Sequence, residues 1–259
     1  MRATKETADL AFLQSMRHDP FPGLPKYLHL RETLITAIEG GYWKPGAKLP
    51  TETELTGLTP YSLGTVQRAM RSLVDDGVVV RRKGQGSFVA RNRKTMDDPW
   101  HFRFPGDDGE SLLPLDIKVR SVESVGAHGP WARFLGREDW YLQINRLVNV
   151  GREFIVLSQF FLSAARFGDL LDVRAKDLNG VPIRVVLSER YDTPTLRVVE
   201  RVGCETLPDE VCRPLGLDTG SIGMVCEILG YGYRDQPVSY QLAYVPPDTR
   251  RLEVRETKP

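Results

Sequence analysis

Three cysteines in 259 residues, Cys204, Cys212 and Cys226, are too few and too irregularly spaced to frame a disulfide-stapled fold. No Cys-x-x-Cys pair accompanies them, so reduced, buried thiols are the expectation. The four histidines, His18, His29, His101 and His128, are scattered, which excludes a metal motif local in sequence and leaves only ligands gathered by folding. Long apolar runs are absent too: nothing approaches the roughly 18 uninterrupted residues of a membrane span. The first residues (Met1, Arg2, Lys5, Glu6, Asp9) lack the apolar stretch of a secretion signal, so a cytoplasmic protein with no membrane partner is the expectation. No paired carboxylates and no Cys-His or Ser-His spacing commit the chain to a reaction, and neither a catalytic residue nor a cofactor is expected.

Net charge is nearly absent, at +1, but that balance conceals an asymmetry. Met1 to Lys94 holds 15 Lys and Arg against 9 Asp and Glu, whereas the remainder holds 20 against 25. A basic front and an acidic back fit a polyanion-binding module joined to something else.

The front half reads as helix, helix, helix, hairpin. Tyr27, Leu30, Leu34, Ile35 and Ile38 recur on one helical face, which Gly40-Gly41 ends. Lys44-Pro45-Gly46 is a turn, and Thr51-Glu52-Thr53-Glu54 is a capping box opening a short helix limited by Gly57 and Pro60. Ser62 caps a third helix whose inner face is Val66, Ala69, Met70 and Leu73, and whose outer face shows Gly64, Gln67, Arg68 and Arg71. Val78 to Val80 and Ser87 to Val89 are strand-like around a tip, Lys83-Gly84-Gln85-Gly86, and no acid occurs from Arg81 to Lys94. This is a winged helix-turn-helix. A helix entering the major groove needs an apolar inner face and a polar outer one, and a basic hairpin gains from counterion release at the phosphates. The DNA-contacting candidates are therefore Ser62, Gly64, Thr65, Gln67, Arg68 and Arg71 on the helix, and Lys83, Gly84, Gln85 and Gly86 on the wing.

After a linker at 91–99 the pattern changes. Leu115 to Val125, Trp140 to Val150, Glu153 to Leu162, Leu196 to Glu205, Ile222 to Tyr233 and Pro237 to Val245 read as strands. Pro130 to Leu135, Ala164 to Leu171, Pro182 to Tyr191 and Pro208 to Leu215 read as helices. Turns at Asn149-Val150-Gly151 and Arg234-Asp235-Gln236 close two antiparallel hairpins. The whole is an α+β chain: a lead (1–24), a winged helix-turn-helix (25–90), the linker, and an antiparallel-sheet domain (100–255).

The run from Lys44 to Leu55, the Ser62-Leu-Gly-Thr-Val-Gln-Arg-Ala-Met70 helix and the Lys83-Gly-Gln-Gly-Ser-Phe-Val89 wing resemble the GntR family of winged-helix repressors, over about a quarter of the chain. The resemblance adds Thr53 and Leu63 to the DNA-binding set, both at positions where the family usually carries arginine, as does Gln67. Behind it, Ile144 to Leu147, Ser158 to Leu162 and Asp235 to Tyr244 resemble the UTRA effector domain, which has a chorismate-lyase-like fold. That likeness implies a small-molecule effector held by Arg146, with Ser158, Phe160, Tyr233 and Tyr240 around it. Val148, Ser158 and Pro182 replace the family's second arginine, glutamate and phosphate-cradling serine, which argues against a sugar phosphate and for a carboxylate or other small polar molecule. Together these imply a homodimeric repressor of operator DNA. A chorismate-lyase-like enzyme with a DNA-binding module is the alternative, and a sequence-indifferent RNA or chromatin binder a third.

Overall fold

The computed structural model describes residues 25–90, 102–247 and 249–253. They divide into two compact units, one of residues 25–90 with Ser188–Leu196 and the other of the rest. The expected lead and linker lie outside the described residues.

In the first unit, α1 (Lys26–Glu39) buries Leu30, Leu34, Ile35, Ala37 and Ile38 and ends where Gly41 takes a positive φ of 76°. The capping box forms in full at α2 (Glu52–Leu58): the Glu54 N–H donates to Thr51 Oγ1 (3.2 Å) and the Thr51 N–H donates to Glu54 Oε2 (2.7 Å). Ser62 caps α3 (Leu63–Asp75), accepting from the Thr65 N–H, and α3 seals the core with Val66, Ala69, Met70 and Leu73, all fully buried. The wing is β1 (Val79–Arg82) paired antiparallel with β2 (Gly86–Val89). A bridge from Lys48 to Phe88, with the Leu49 N–H donating to Ser87 O, adds a short third strand that braces it.

The second unit is one six-stranded antiparallel sheet in the order β3-β4-β5-β8-β7-β6. Its strands are β3 (Leu115–Gly126), β4 (Trp140–Val150), β5 (Phe154–Ser163), β6 (Arg197–Thr206), β7 (Ile222–Tyr231) and β8 (Pro237–Val245). Both expected hairpins form, β4 with β5 and β7 with β8. Helices α4 (Pro130–Leu135), α5 (Ala164–Phe167) and α7 (Asp209–Leu215) belong to this unit, as does α6 (Ile183–Arg190) as far as Leu187. Side chains alternate across a sheet, and both faces carry core. One holds Phe102, Phe104, Val148, Val156, Ile228 and Ala243; the other holds two separate clusters, around Leu157, Val211 and Tyr244, and around Phe161, Leu229 and Tyr240.

Three expectations need correction. The helix expected over Ala164 to Leu171 is a four-residue α5 followed by a 3-10 turn, Gly168–Asp172. Strand β7 stops at Tyr231, because Tyr233–Asp235 forms the 3-10 turn into β8, with left-handed backbone at Arg234 and Asp235. Cys212 and Cys226 are buried, and burial pushes the Cys226 thiol up to about 11. Cys204 is exposed instead, since β6 is an edge strand.

Candidate functional site

In the first unit, the outer strip of α3 stands clear of the core: Ser62, Leu63, Gly64, Gln67, Arg68 and Arg71 are exposed and Thr65 is half-buried. Leu63 is a large apolar side chain left 46% exposed on this strip. A Cβ built on Gly64 would meet nothing within 4 Å, so no internal contact requires glycine there. Thr53 is exposed on α2. The Arg68 guanidinium lies 3.9 Å over the Tyr27 ring, which holds its direction.

The wing tip closes with the Gln85 N–H donating to Arg82 O (3.0 Å), Gly84 at φ 72° and Gly86 at φ 114°. The positive φ is what favours glycine at 86, since an added Cβ would otherwise meet only the end of the Lys48 side chain, 3.0 Å away at Cε. Arg81 pairs with Glu52 and Arg82 stacks on Phe88, whereas Lys83, Gly84 and Gln85 stand exposed.

In the second unit, register decides which candidates meet. Arg146 pairs with Ser158 across β4 and β5, and Phe160 with Gln241 across β5 and β8, so these side chains share one face. The Arg146 Nη2 donates to Ser158 Oγ (2.9 Å), Gln241 Nε2 donates to the same oxygen (3.1 Å), and the Arg146 guanidinium lies 5.2 Å from the Phe160 ring. A second guanidinium arrives from α6: Arg184 Nη2 donates to Gln241 Oε1 (3.5 Å) and lies 5.7 Å from Phe160. Arg146 is 5% exposed and Arg184 6%. Burial, and then repulsion from Arg184, pull Arg146 down to about 9; burial pulls Arg184 down to about 10, with Glu200 offsetting part of it. The Arg146 Nε is buried with no hydrogen-bond partner among the described residues. Two buried guanidinium groups side by side, one with a donor left over, have the chemistry to hold an anion.

Arg184 was not among the sequence candidates. A signal for it existed, since Arg184, Leu187 and Ser188 share the inward i, i+3, i+4 face of a helix read correctly from its apolar residues. Tyr240 does not join the pocket. It pairs with Phe161, one position off the Gln241 row, so it points to the opposite face, where its hydroxyl donates to Glu227 Oε1 (2.7 Å) and burial raises its pKa. Tyr233 is buried in the 3-10 turn between β7 and β8. Among the described residues, no cluster of His, Cys, Asp or Glu could hold a metal ion, and no helix is long and apolar enough to cross a membrane.

Fold and site together define a winged helix-turn-helix protein with an α+β domain that buries two arginines, Arg146 and Arg184, against its sheet. The chain belongs to the gntR family of bacterial regulatory proteins that carry a UTRA domain: the gntR model matches residues 26–89 and the UTRA model residues 115–251, the latter over half of the chain. It is similar to the histidine utilization repressor of Klebsiella aerogenes, at 37% identity over 117 residues (45% of this chain, 41% of that one). It is also similar to the histidine utilization repressor of Pseudomonas aeruginosa, at 38% over 66 residues (26% of each). The matches thus span less than half of these relatives. They are named as repressors, which speaks against the enzyme alternative. A crystal structure described as a GntR-family transcriptional regulator aligns with a TM-score of 0.50 at 18% identity, covering 91% of this chain and 98% of that one. The ligand-binding domain of a protein so described from Bordetella bronchiseptica gives 0.50 at 15%, covering 60% and 97%; both likenesses concern the fold alone.

Proposed function

We propose that the chain is a transcriptional repressor that grips operator DNA with α3 and the wing, and whose grip is modulated by a small carboxylate-bearing metabolite in the Arg146–Arg184 pocket. Residues 25–90 form the DNA-binding module, 91–99 the link and 100–255 the effector module. It works in the cytoplasm as a homodimer on a pseudopalindrome with half-sites about 34–36 Å apart.

The single observation that carries this reading is the division of α3 into a fully buried apolar face and an exposed strip opening on Ser62, Leu63 and Gly64. On that strip Gln67 suits adenine, Leu63 suits the methyl group of thymine, and Ser62 and Thr65 suit phosphate or base. Thr53, Arg68, Arg71 and Lys83 meet the backbone, and the glycines of the tip admit close approach. The ligand half rests on buried Arg146, whose charge and spare Nε an anion would meet; Arg184, Ser158, Gln241 and the Phe160 ring surround it. Ligand acts by favouring one arrangement of the DNA-binding modules, so it needs differential affinity for the two.

Selecting duplexes from a random pool, with and without added carboxylate metabolites, tests both halves: recovery of one palindromic consensus, depleted by a particular carboxylate, is expected. A pool that emerges unenriched would remove the DNA half. Gly64 offers a narrower check. Glycine inside a helix costs roughly 0.5–1 kcal/mol relative to alanine, and nothing in the domain compensates it. Gly64→Ala is expected to raise the thermal midpoint while weakening operator binding; unchanged affinity would show that no backbone approach occurs there.

A further inference from the structure

The face of the sheet opposite Arg146 carries a second recess, a cavity of about 410 Å³. Its floor is a polar row, Ser121, Asn145 and Gln159, aligned across β3, β4 and β5 by the pairs Ser121 with Asn145 and Asn145 with Gln159. Glu123 and Gln143 form the neighbouring pair. On either side of the row this face carries an apolar cluster, Leu157, Val211 and Tyr244 in one and Phe161, Leu229 and Tyr240 in the other, the latter joined by Trp131 and Phe134 of α4. A polar row between two apolar clusters contributes less to folding than the aliphatic residues that would complete a core.

The row is also wired in one direction. Gln143 Nε2 donates to Asn145 Oδ1 (2.8 Å) and Asn145 Nδ2 donates to Ser121 Oγ (3.1 Å), which leaves the Gln143 oxygen as an acceptor and the Ser121 hydroxyl as a donor. The half-buried Gln159 amide makes no hydrogen bond among the described residues. Two carboxylates, Glu123 and Glu210 of α7, line the recess, and neither is in an ion pair among the described residues. A single guanidinium, Arg120, joins them. It is the residue added by the irregularity in β3 between Val119 and Ser121, a device that re-aims a side chain.

Two carboxylates, one guanidinium and a row of amides complement a molecule with an ammonium at one end and a carboxylate at the other. We propose that this recess is a binding site for a small zwitterion of the size and chemistry of a free amino acid. Its volume lies within the roughly 300–1,000 Å³ usual for small-molecule sites. The charge preference is opposite to that of the arginine pocket on the other face of the same strands, which takes an anion. The inference stands independently of whether the chain binds DNA.

Titration calorimetry on the full chain with free L-amino acids, one at a time, tests it, with acetate and the N-acetylated form of any binder as controls. At least one amino acid is expected to bind, and Glu123→Gln with Glu210→Gln, both exposed and tolerant of change, is expected to weaken it about tenfold or more through loss of charge-assisted contacts. The Asn145→Leu, Gln159→Leu variant should abolish it, and Arg146→Met should leave it intact. The proposal is overturned if no amino acid binds, if the N-acetylated form or acetate binds equally well, or if Arg146→Met removes binding while the glutamate variant retains it. That last result would place the ligand in the arginine pocket.

Discussion

Replacing Arg146 with methionine will stabilise the ligand-free protein and abolish its response to effector. The two effects share one cause. At Arg146 a guanidinium is buried beside a second cation, with one hydroxyl oxygen, Ser158 Oγ, accepting from it and its Nε left without a partner among the described residues. Exchanging such a charge for an apolar side chain of similar length is expected to contribute about 1–4 kcal/mol of stability. Ser158 keeps its hydrogen bond from Gln241, so the exchange orphans no oxygen. Removing one partner of a buried charge pair costs about 2–5 kcal/mol of ligand affinity, a loss of roughly thirtyfold or more.

The pH dependence carries the same signature. Arg146 is held down at about 9 in the folded state against an ordinary value of 12.5, so the native protein releases this proton before the unfolded chain does. The destabilisation is therefore fully present below pH 9 and diminishes as pH rises from there toward 12.5. Thermal melts of wild type and Arg146→Met should differ most near neutrality and converge above pH 9, and anion affinity should decline over the same interval. A variant less stable than wild type at pH 7 would mean the guanidinium is satisfied in the free protein, and the receptor reading would fail.

The second large effect concerns α3 and the wing. Gln67→Ala should cost about 1–3 kcal/mol on the selected operator and relax preference at one base pair, because a bidentate base contact is lost. Lys83→Ala should weaken all duplexes alike and reduce the slope of log affinity against log salt by about 1, since one phosphate contact releases its counterion. Anisotropy titrations of operator and scrambled duplex over a salt series separate the two. If Gln67→Ala lowers both affinities equally, α3 does not read bases at that position. Lys83 is chosen over Arg81 and Arg82 because those two are already engaged, by Glu52 and by the Phe88 ring.

The DNA-binding unit was legible residue by residue. Capping at Thr51 and Ser62, termination at Gly40-Gly41 and the inner face of α3 are all decided within a few residues of the position concerned. The buried arginine site was legible only in part. Arg146, Ser158 and Phe160 lie on strands whose pairing was readable from one hairpin, and they meet as expected. Tyr240 was assigned to the wrong side because a single step of register moves a side chain through the sheet. The recess around Asn145 was invisible for the same reason: its residues are the immediate neighbours of pocket residues, and only alternation separates them.

From the order of its amino acids alone, this chain specified its secondary elements, the winged helix-turn-helix and the polar outer strip of α3, because capping, periodicity and turn chemistry act over short spans of backbone. Tertiary structure decided the rest. It set Arg184 beside Arg146, removed Tyr240 from their company and opened an oppositely charged recess behind them, because strand register and helix docking bring together residues that no local spacing connects.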